Sequence, residues 1–451
     1  MHACSATAKL VLGVGFALAL LAPRCAFAGH PAFVYVNANP NQGTNSLIGV
    51  RVSSTGQPAP LPGSPYSTGG LGLTAAVGAE FAHRIEVSRA RNFLFAANDG
   101  SGSISAFAIN PLTGALAKVI GSPFTVTGWS AFSGISLAIS SDGRFLYASG
   151  PTLVSFAISS SGSLLELGAQ WVFAQRAAGI GVSGDNTRLY LSTTSGVFIM
   201  NSGEFGLTTD PPDFLPVGST PTDLRLDEVG RRLWVGTKNG GILAYTVSAG
   251  DTNIVAGAPF FSAVSNLSGL SADFYGRFLF AFSPEGPRLL GARTNSDGTL
   301  TLAPNSPLSP ALASTSGALT PDGGLLFLSD ALGQLDAWST QDTGALTHQA
   351  GYPIALGTSP GFPSVATFPD KNPTPAPATP RWLALALAAT FALFGLRLTA
   401  RRPSPTVGPQ SGSGSGSRRF SGNAFLVCGL VFSSVSGRLR LFRRRLAGAT
   451  R

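Results

Sequence analysis

His83, Arg84 and Glu86 place an imidazole, a guanidinium and a carboxylate within four consecutive residues. An imidazole or carboxylate can take a proton from water, and a guanidinium can hold the charge that develops on a carbonyl oxygen. These three residue types are sufficient for hydrolysis at a carbonyl; the plainer reading is a hydrogen-bonded cluster at the end of a strand. A second pair, Asp223 and Arg225, flanks Leu224. On a strand, alternation turns both to one side, either as ligand contacts or as a buried or channel-side ion pair. His30, His83 and His348 have no metal-ligand spacing. No glycine-rich run joins a strand to a helix as nucleotide phosphates require. Asp142, Asp322 and Asp342 fall in turn sequences and read as turn formers rather than calcium ligands. Neither a cofactor nor a metal is expected.

The elements that hold these residues belong to a chain of 451 residues with only 11% charged side chains. That composition excludes a charged disordered chain and a long coiled coil. The net charge of +9 is segregated. All twenty-one acids lie between Gly29 and Asp370 with fifteen bases, whereas the chain after Asp370 has thirteen bases and no acid. The body is therefore mildly acidic and would repel a phosphate backbone, so nucleic acid is not an expected partner.

Both ends carry targeting features. Residues 1–28 read as a signal peptide: Lys9, an apolar run from Leu10 to Ala22, and Ala26-Phe27-Ala28 before Gly29. Cleavage there would remove Cys4 and Cys25 and leave Cys428 alone, so no disulfide is expected in the exported body. Residues 371–381 form a Pro-rich linker. Residues 382–400 follow as an apolar helix, with Trp382 at one end and Arg397, Arg401 and Arg402 at the other. Arginines on the C-terminal side put that end in the cytoplasm and the body outside, in the periplasm or at the cell surface. The basic tail, residues 401–451, contains a Gly/Ser alternation and Arg443-Arg444-Arg445.

Between these ends the chain repeats. A strand-like segment recurs as Phe33-Val-Tyr-Val36, Phe93-Leu-Phe-Ala96, Phe145-Leu-Tyr-Ala148, Arg188-Leu-Tyr-Leu191, Arg232-Leu-Trp-Val235, Phe278-Leu-Phe-Ala281 and Leu325-Leu-Phe-Leu328. An alternating strand and a turn such as Asp142-Gly143 precede it, and a third and fourth strand follow. Several copies close on a shared tetrapeptide: Gly63-Ser-Pro-Tyr66, Gly121-Ser-Pro-Phe124, Gly257-Ala-Pro-Phe260 and Asn305-Ser-Pro-Leu308. Four short strands in a repeating unit predict an all-β, seven-bladed β-propeller over residues 29–370. The first copy lacks an inner strand and Gly361–Phe368 is an inner strand without a blade, so the termini are expected to share a composite blade. Closure of the ring removes the open sheet edges, and a monomer is expected.

The turn and Arg-Phe-Leu-Tyr/Phe-Ala pattern, with Asn110-Pro-Leu-Thr-Gly-Ala-Leu116, resembles the lactonase family of 6-phosphogluconolactonase-like propellers over about residues 31 to 369. Enzymes of that family carry Gly-Pro-Arg-His just before an inner strand. The aligned position here holds His83-Arg84 in reversed order, and the other blades hold mostly small polar residues. Gly286-Pro287-Arg288 occurs in a different part of its blade. The expectation is therefore a binding module for an extracytoplasmic ligand or protein, tethered by the C-terminal segment. The alternative is a lactonase acting on a sugar lactone or related ester.

Overall fold

The computed structural model describes residues 32–369, apart from short stretches at 74–82, 130–133, 173–176, 205, 228–230, 240, 249–250, 255–259, 262–263, 265, 286–288, 358–360 and 362. The expected signal peptide, linker, apolar helix and basic tail lie outside the described residues, as do Gly286-Pro287-Arg288 and His30. Every regular element among the described residues is a strand, and the strands form seven antiparallel sheets. The inner strands are Ser364–Pro369 in blade I, Ile85–Ser88 in II, Ser136–Ile139 in III and Ala177–Val182 in IV. Pro221–Leu226, Gly269–Ala272 and Ser314–Leu319 serve blades V, VI and VII.

The composite blade is present. Ser364–Pro369 pairs with Ala32–Asn37 in antiparallel register, from Ala32 opposite Pro369 to Asn37 opposite Ser364. The last described strand thus completes a blade whose other strands are the first of the described residues.

Burial explains the recurring second strand. Phe93 and Phe95 point into the apolar layer between blades II and III, whereas Leu94 and Ala96 point into the layer between I and II. Both faces are covered, so nearly every position is apolar rather than every other one. The same arrangement recurs between every neighbouring pair, and the layer between VII and I joins Phe327 to Val34 and Val36. Glycines in the outer turns let the blades approach. At Gly114 (φ +71°) an added Cβ would lie 2.6 Å from the Phe33 ring of the preceding blade.

Five of the seven blades depart from the expected four continuous strands, because their outermost strand is split into two short pieces. In blades I and II the shared tetrapeptide is the break: proline has no N–H for the ladder. The serine before it accepts the third-strand N–H stranded by the gap, Gly49 N to Ser64 Oγ at 3.0 Å and Ala106 N to Ser122 Oγ at 2.9 Å. Ser306 does the same for Gly291 N at 2.8 Å in blade VI. Asn305 there adopts φ +58°, the left-handed backbone that Gly63 and Gly121 adopt in blades I and II.

Removing residues 361–368 takes the inner strand out of blade I and exposes the pairing edge of Ala32–Asn37. Thermal melting of the full chain should fall by about 10 °C or more on that deletion. Deleting 403–451 should leave it nearly unchanged. Equal melting temperatures for the two truncations would refute ring closure as a source of stability.

Candidate functional site

A cavity of about 340 Å³ lies on the ring axis, lined by residues from the inner strands of all seven blades. Its lining runs from His83 and Arg225 to the turns that follow the inner strands, including Ser140, Asp227, Phe274 and Thr320. The cavity thus occupies the C-terminal halves of the inner strands and the turn face beyond them. Its volume falls at the lower end of small-molecule pockets.

His83 forms the floor. It precedes the inner strand of blade II, and its Nε2 donates to Asp223 Oδ1 of blade V at 2.8 Å. Blades II and V are as far apart as two blades of a seven-membered ring can be, so this hydrogen bond crosses the axis. Asp223 is fully buried. Its Oδ1 also accepts from Leu224 N at 2.8 Å and its Oδ2 from Leu270 N of blade VI at 2.7 Å. Blade IV comes close to the carboxylate through Gly179, where an added Cβ would lie 2.4 Å from Leu224 N and 2.7 Å from Asp223 Oδ1.

Around the other imidazole nitrogen stand Glu86 and Arg225. His83 Nδ1 lies 3.7 Å from Glu86 Oε1 and 3.5 Å from Arg225 Nη1, and the Arg225 and Glu86 side chains are 3.9 Å apart. Burial opposes a charge on His83, but the Asp223 and Glu86 carboxylates outweigh it and raise the imidazole to about 9. The shift favours the imidazolium, in which both ring nitrogens carry protons. At the mouth, burial raises the Asp227 carboxyl above its ordinary value, against N–H bonds from Arg232 and Arg231.

The structure rearranges the residues singled out from the sequence. Arg84 does not join His83 and Glu86, because adjacent extended residues point apart. It is buried against Asp99, with Nε 2.6 Å from Oδ2, in a network that includes Asn39 Nδ2 at 2.8 Å and Ile135 N at 3.0 Å. Nor do Asp223 and Arg225 pair with one another, since the His83 ring stands between them. Asp223 is a positioning residue behind the imidazole, and Arg225 takes the cavity place expected of Arg84. Asp99 escaped notice in the sequence, where it reads only as part of the Asn98-Asp99-Gly100 turn. Asp142 and Asp322 do close turns, their Oδ1 atoms accepting from Arg144 N and Gly324 N at 3.0 Å each.

The small polar residues at the equivalent inner-strand positions bind neighbouring blades. Ser316 Oγ accepts from Val365 N at 3.2 Å, Ser271 Oγ accepts from Leu319 N at 3.0 Å, and Ser268 Oγ donates to Ser314 O at 3.1 Å.

The folded-state value of about 9 for His83, against an ordinary 6.5, has a stability consequence. A raised value stabilises the fold fully below about pH 6.5, by about 3 kcal/mol, and this contribution is lost as pH rises through about 9. Wild type should therefore exceed His83→Gln in denaturant stability by most at pH 6, with the gap narrowing towards pH 10. A gap that is constant across this range would show that the imidazole is not held charged.

No protein-family profile matches the chain, and no curated protein matches it in sequence. Solved structures do match in fold. A putative 6-phosphogluconolactonase from Bacteroides fragilis superposes with a TM-score of 0.60 at 16% identity, covering 75% of this chain and 98% of that one. A putative 6-phosphogluconolactonase from Bacteroides uniformis gives 0.60 at 13% identity, covering 75% and 99%. The periplasmic gluconolactonase of Pseudomonas aeruginosa gives 0.55 at 16% identity, again covering 75% and 99%. By fold, then, this chain is a seven-bladed β-propeller similar to the 6-phosphogluconolactonase-like proteins.

Proposed function

We propose that this propeller is an exported, membrane-tethered binding module that seats a small polar ligand in its axial cavity. The observation that carries the binding reading is the engagement of His83: its Nε2 is taken by the buried Asp223 carboxylate at 2.8 Å, and its Nδ1 faces Glu86 and Arg225. The two carboxylates favour the imidazolium, which donates and does not take a proton from water. Arg225 and Glu86 beside it offer a guanidinium fork and a carboxylate to a ligand, while Asp223 fixes the ring.

A second reading, hydrolysis of a sugar lactone or related ester, is favoured by Glu86. This carboxylate is partly exposed in the cavity, next to two cationic groups that could hold a carbonyl oxygen. The structures of similar fold that are described as lactonases add support to it. The assay is turnover of a panel of sugar lactones between pH 7 and pH 10 by wild type, His83→Ala and Glu86→Gln. The binding reading expects no turnover above the uncatalysed rate. Turnover abolished by either substitution would replace it with the enzyme, and a rate that climbs through about pH 9 would identify His83 as the base.

Export and tethering are supported by the apolar run and Ala26-Phe27-Ala28 at one end, and by the apolar segment with its following arginines at the other. The expected mature N-terminus is Gly29. N-terminal sequencing of the chain recovered from membranes checks both points, and an uncleaved product in the soluble fraction would sink them.

A further inference from the structure

We propose that the cavity takes a small zwitterionic amino acid, its carboxylate on Arg225 and its ammonium on Glu86. This rests on the binding-module reading and names the ligand class for that site.

The first support is unspent hydrogen-bonding capacity. Arg225 has five donors in a planar fork, yet its polar contacts are the 3.5 Å approach to His83 Nδ1 and the 3.9 Å approach to Glu86 Oε1. Both contacts are long. Among the described residues, the contacts of Glu86 are equally long, 3.7 Å to His83 and 3.9 Å to Arg225. A cation and an anion therefore stand side by side, partly buried in one cavity, with capacity left for a ligand. The fork fits a carboxylate in bidentate fashion, and a carboxylate oxygen fits an ammonium.

Charge balance then decides between ligand types. His83 pairs with Asp223 across the axis, Arg225 stands beside Glu86, and the lining also holds Arg89 and Asp227, three basic and three acidic groups in all. A bare anion would leave the cavity net negative and would place its carboxylate beside Glu86. A bare cation would do the opposite beside Arg225. A molecule that carries both charges on neighbouring atoms pairs head to tail with Arg225 and Glu86 and leaves no unbalanced charge in a partly desolvated space.

Above this floor the lining mixes apolar groups, Val182 and Ala318 among them, with polar ones such as Ser140, Ser141 and Thr320. Phe274 stands at the turn end, its ring 5.0 Å from that of Tyr275. A side chain directed from the floor towards the turn face would meet this mixed surface and the Phe274 ring. Because the His83–Asp223 bond spans the axis, the ligand would enter from the turn face.

The test is calorimetric titration of the full chain at pH 7.5 with L-leucine, 4-methylpentanoate and 3-methylbutylamine. The last two lack the ammonium and the carboxylate, respectively. Leucine should bind at least tenfold more tightly than either, and Arg225→Gln and Glu86→Gln should each weaken leucine at least tenfold with little change in melting temperature. Arg225→Lys, which keeps the charge and loses the fork, should lose part of that affinity and guards against a folding defect in Arg225→Gln. Absence of leucine binding at millimolar concentration, or leucine affinity indifferent to Glu86→Gln, overturns the proposal. Equal binding of 4-methylpentanoate that is lost in Arg225→Gln also overturns it, while leaving a small-molecule binding module in place. Lactone turnover dependent on the same residues would instead remove the binding reading itself.

Discussion

Every inner strand of a propeller has a sheet neighbour on one side only. Its other edge faces the axis, and the N–H and C=O groups along it have no strand with which to pair. Buried backbone groups left in that state cost on the order of 1–3 kcal/mol each, and seven blades multiply the problem. Here the answer lies in side chains lent from one blade to the next. Ser316 receives Val365 N, Ser271 receives Leu319 N, Asp223 receives Leu270 N and Asp99 receives Ile135 N. Where a backbone oxygen is nearer, the loan becomes direct, as from Leu137 N to His83 O at 2.8 Å. The candidate site grows out of this scheme: Asp223 satisfies an inner edge with one oxygen and holds His83 with the other.

That double duty explains what could and could not be read from the sequence. The second strands were legible because burial on both faces makes them almost wholly apolar, and in the clearer copies a turn such as Asp142-Gly143 or Asp322-Gly323 precedes them. Ring closure followed from an orphan strand at each end. The site was legible only in pieces. His83 with Glu86, and Asp223 with Arg225, were visible as two local clusters, but nothing in a spacing of 140 residues says that they meet across an axis. Arg84 looked like a partner of His83 because it is adjacent, whereas an extended backbone sends neighbours to opposite sides. The hydroxyls of Ser268 and Ser316 looked like vacated catalytic positions; their inter-blade bonds become apparent only once the blades stand next to each other.

The electrostatics of the floor set the direction of its chemistry. One carboxylate beside an imidazole orients it and leaves the far nitrogen available to accept a proton. Two carboxylates on opposite nitrogens do something different: they favour the doubly protonated ring. Asp223 and Glu86 take that second arrangement, at 2.8 Å and 3.7 Å. Arg225 disfavours a neighbouring cation but weighs less than the two carboxylates. The direction of the shift thus comes first from Asp223 and then from Glu86.

Blade I has a further consequence, one of timing. Its second strand, Ala32–Asn37, precedes the partner on its inner side, Ser364–Pro369, by more than three hundred residues. Until that partner is synthesised, blade I lacks its inner strand and the ring is open. Contacts of such sequence separation form late and slowly. The order of synthesis therefore makes closure of the ring a late step, taken after the other six blades have all their strands.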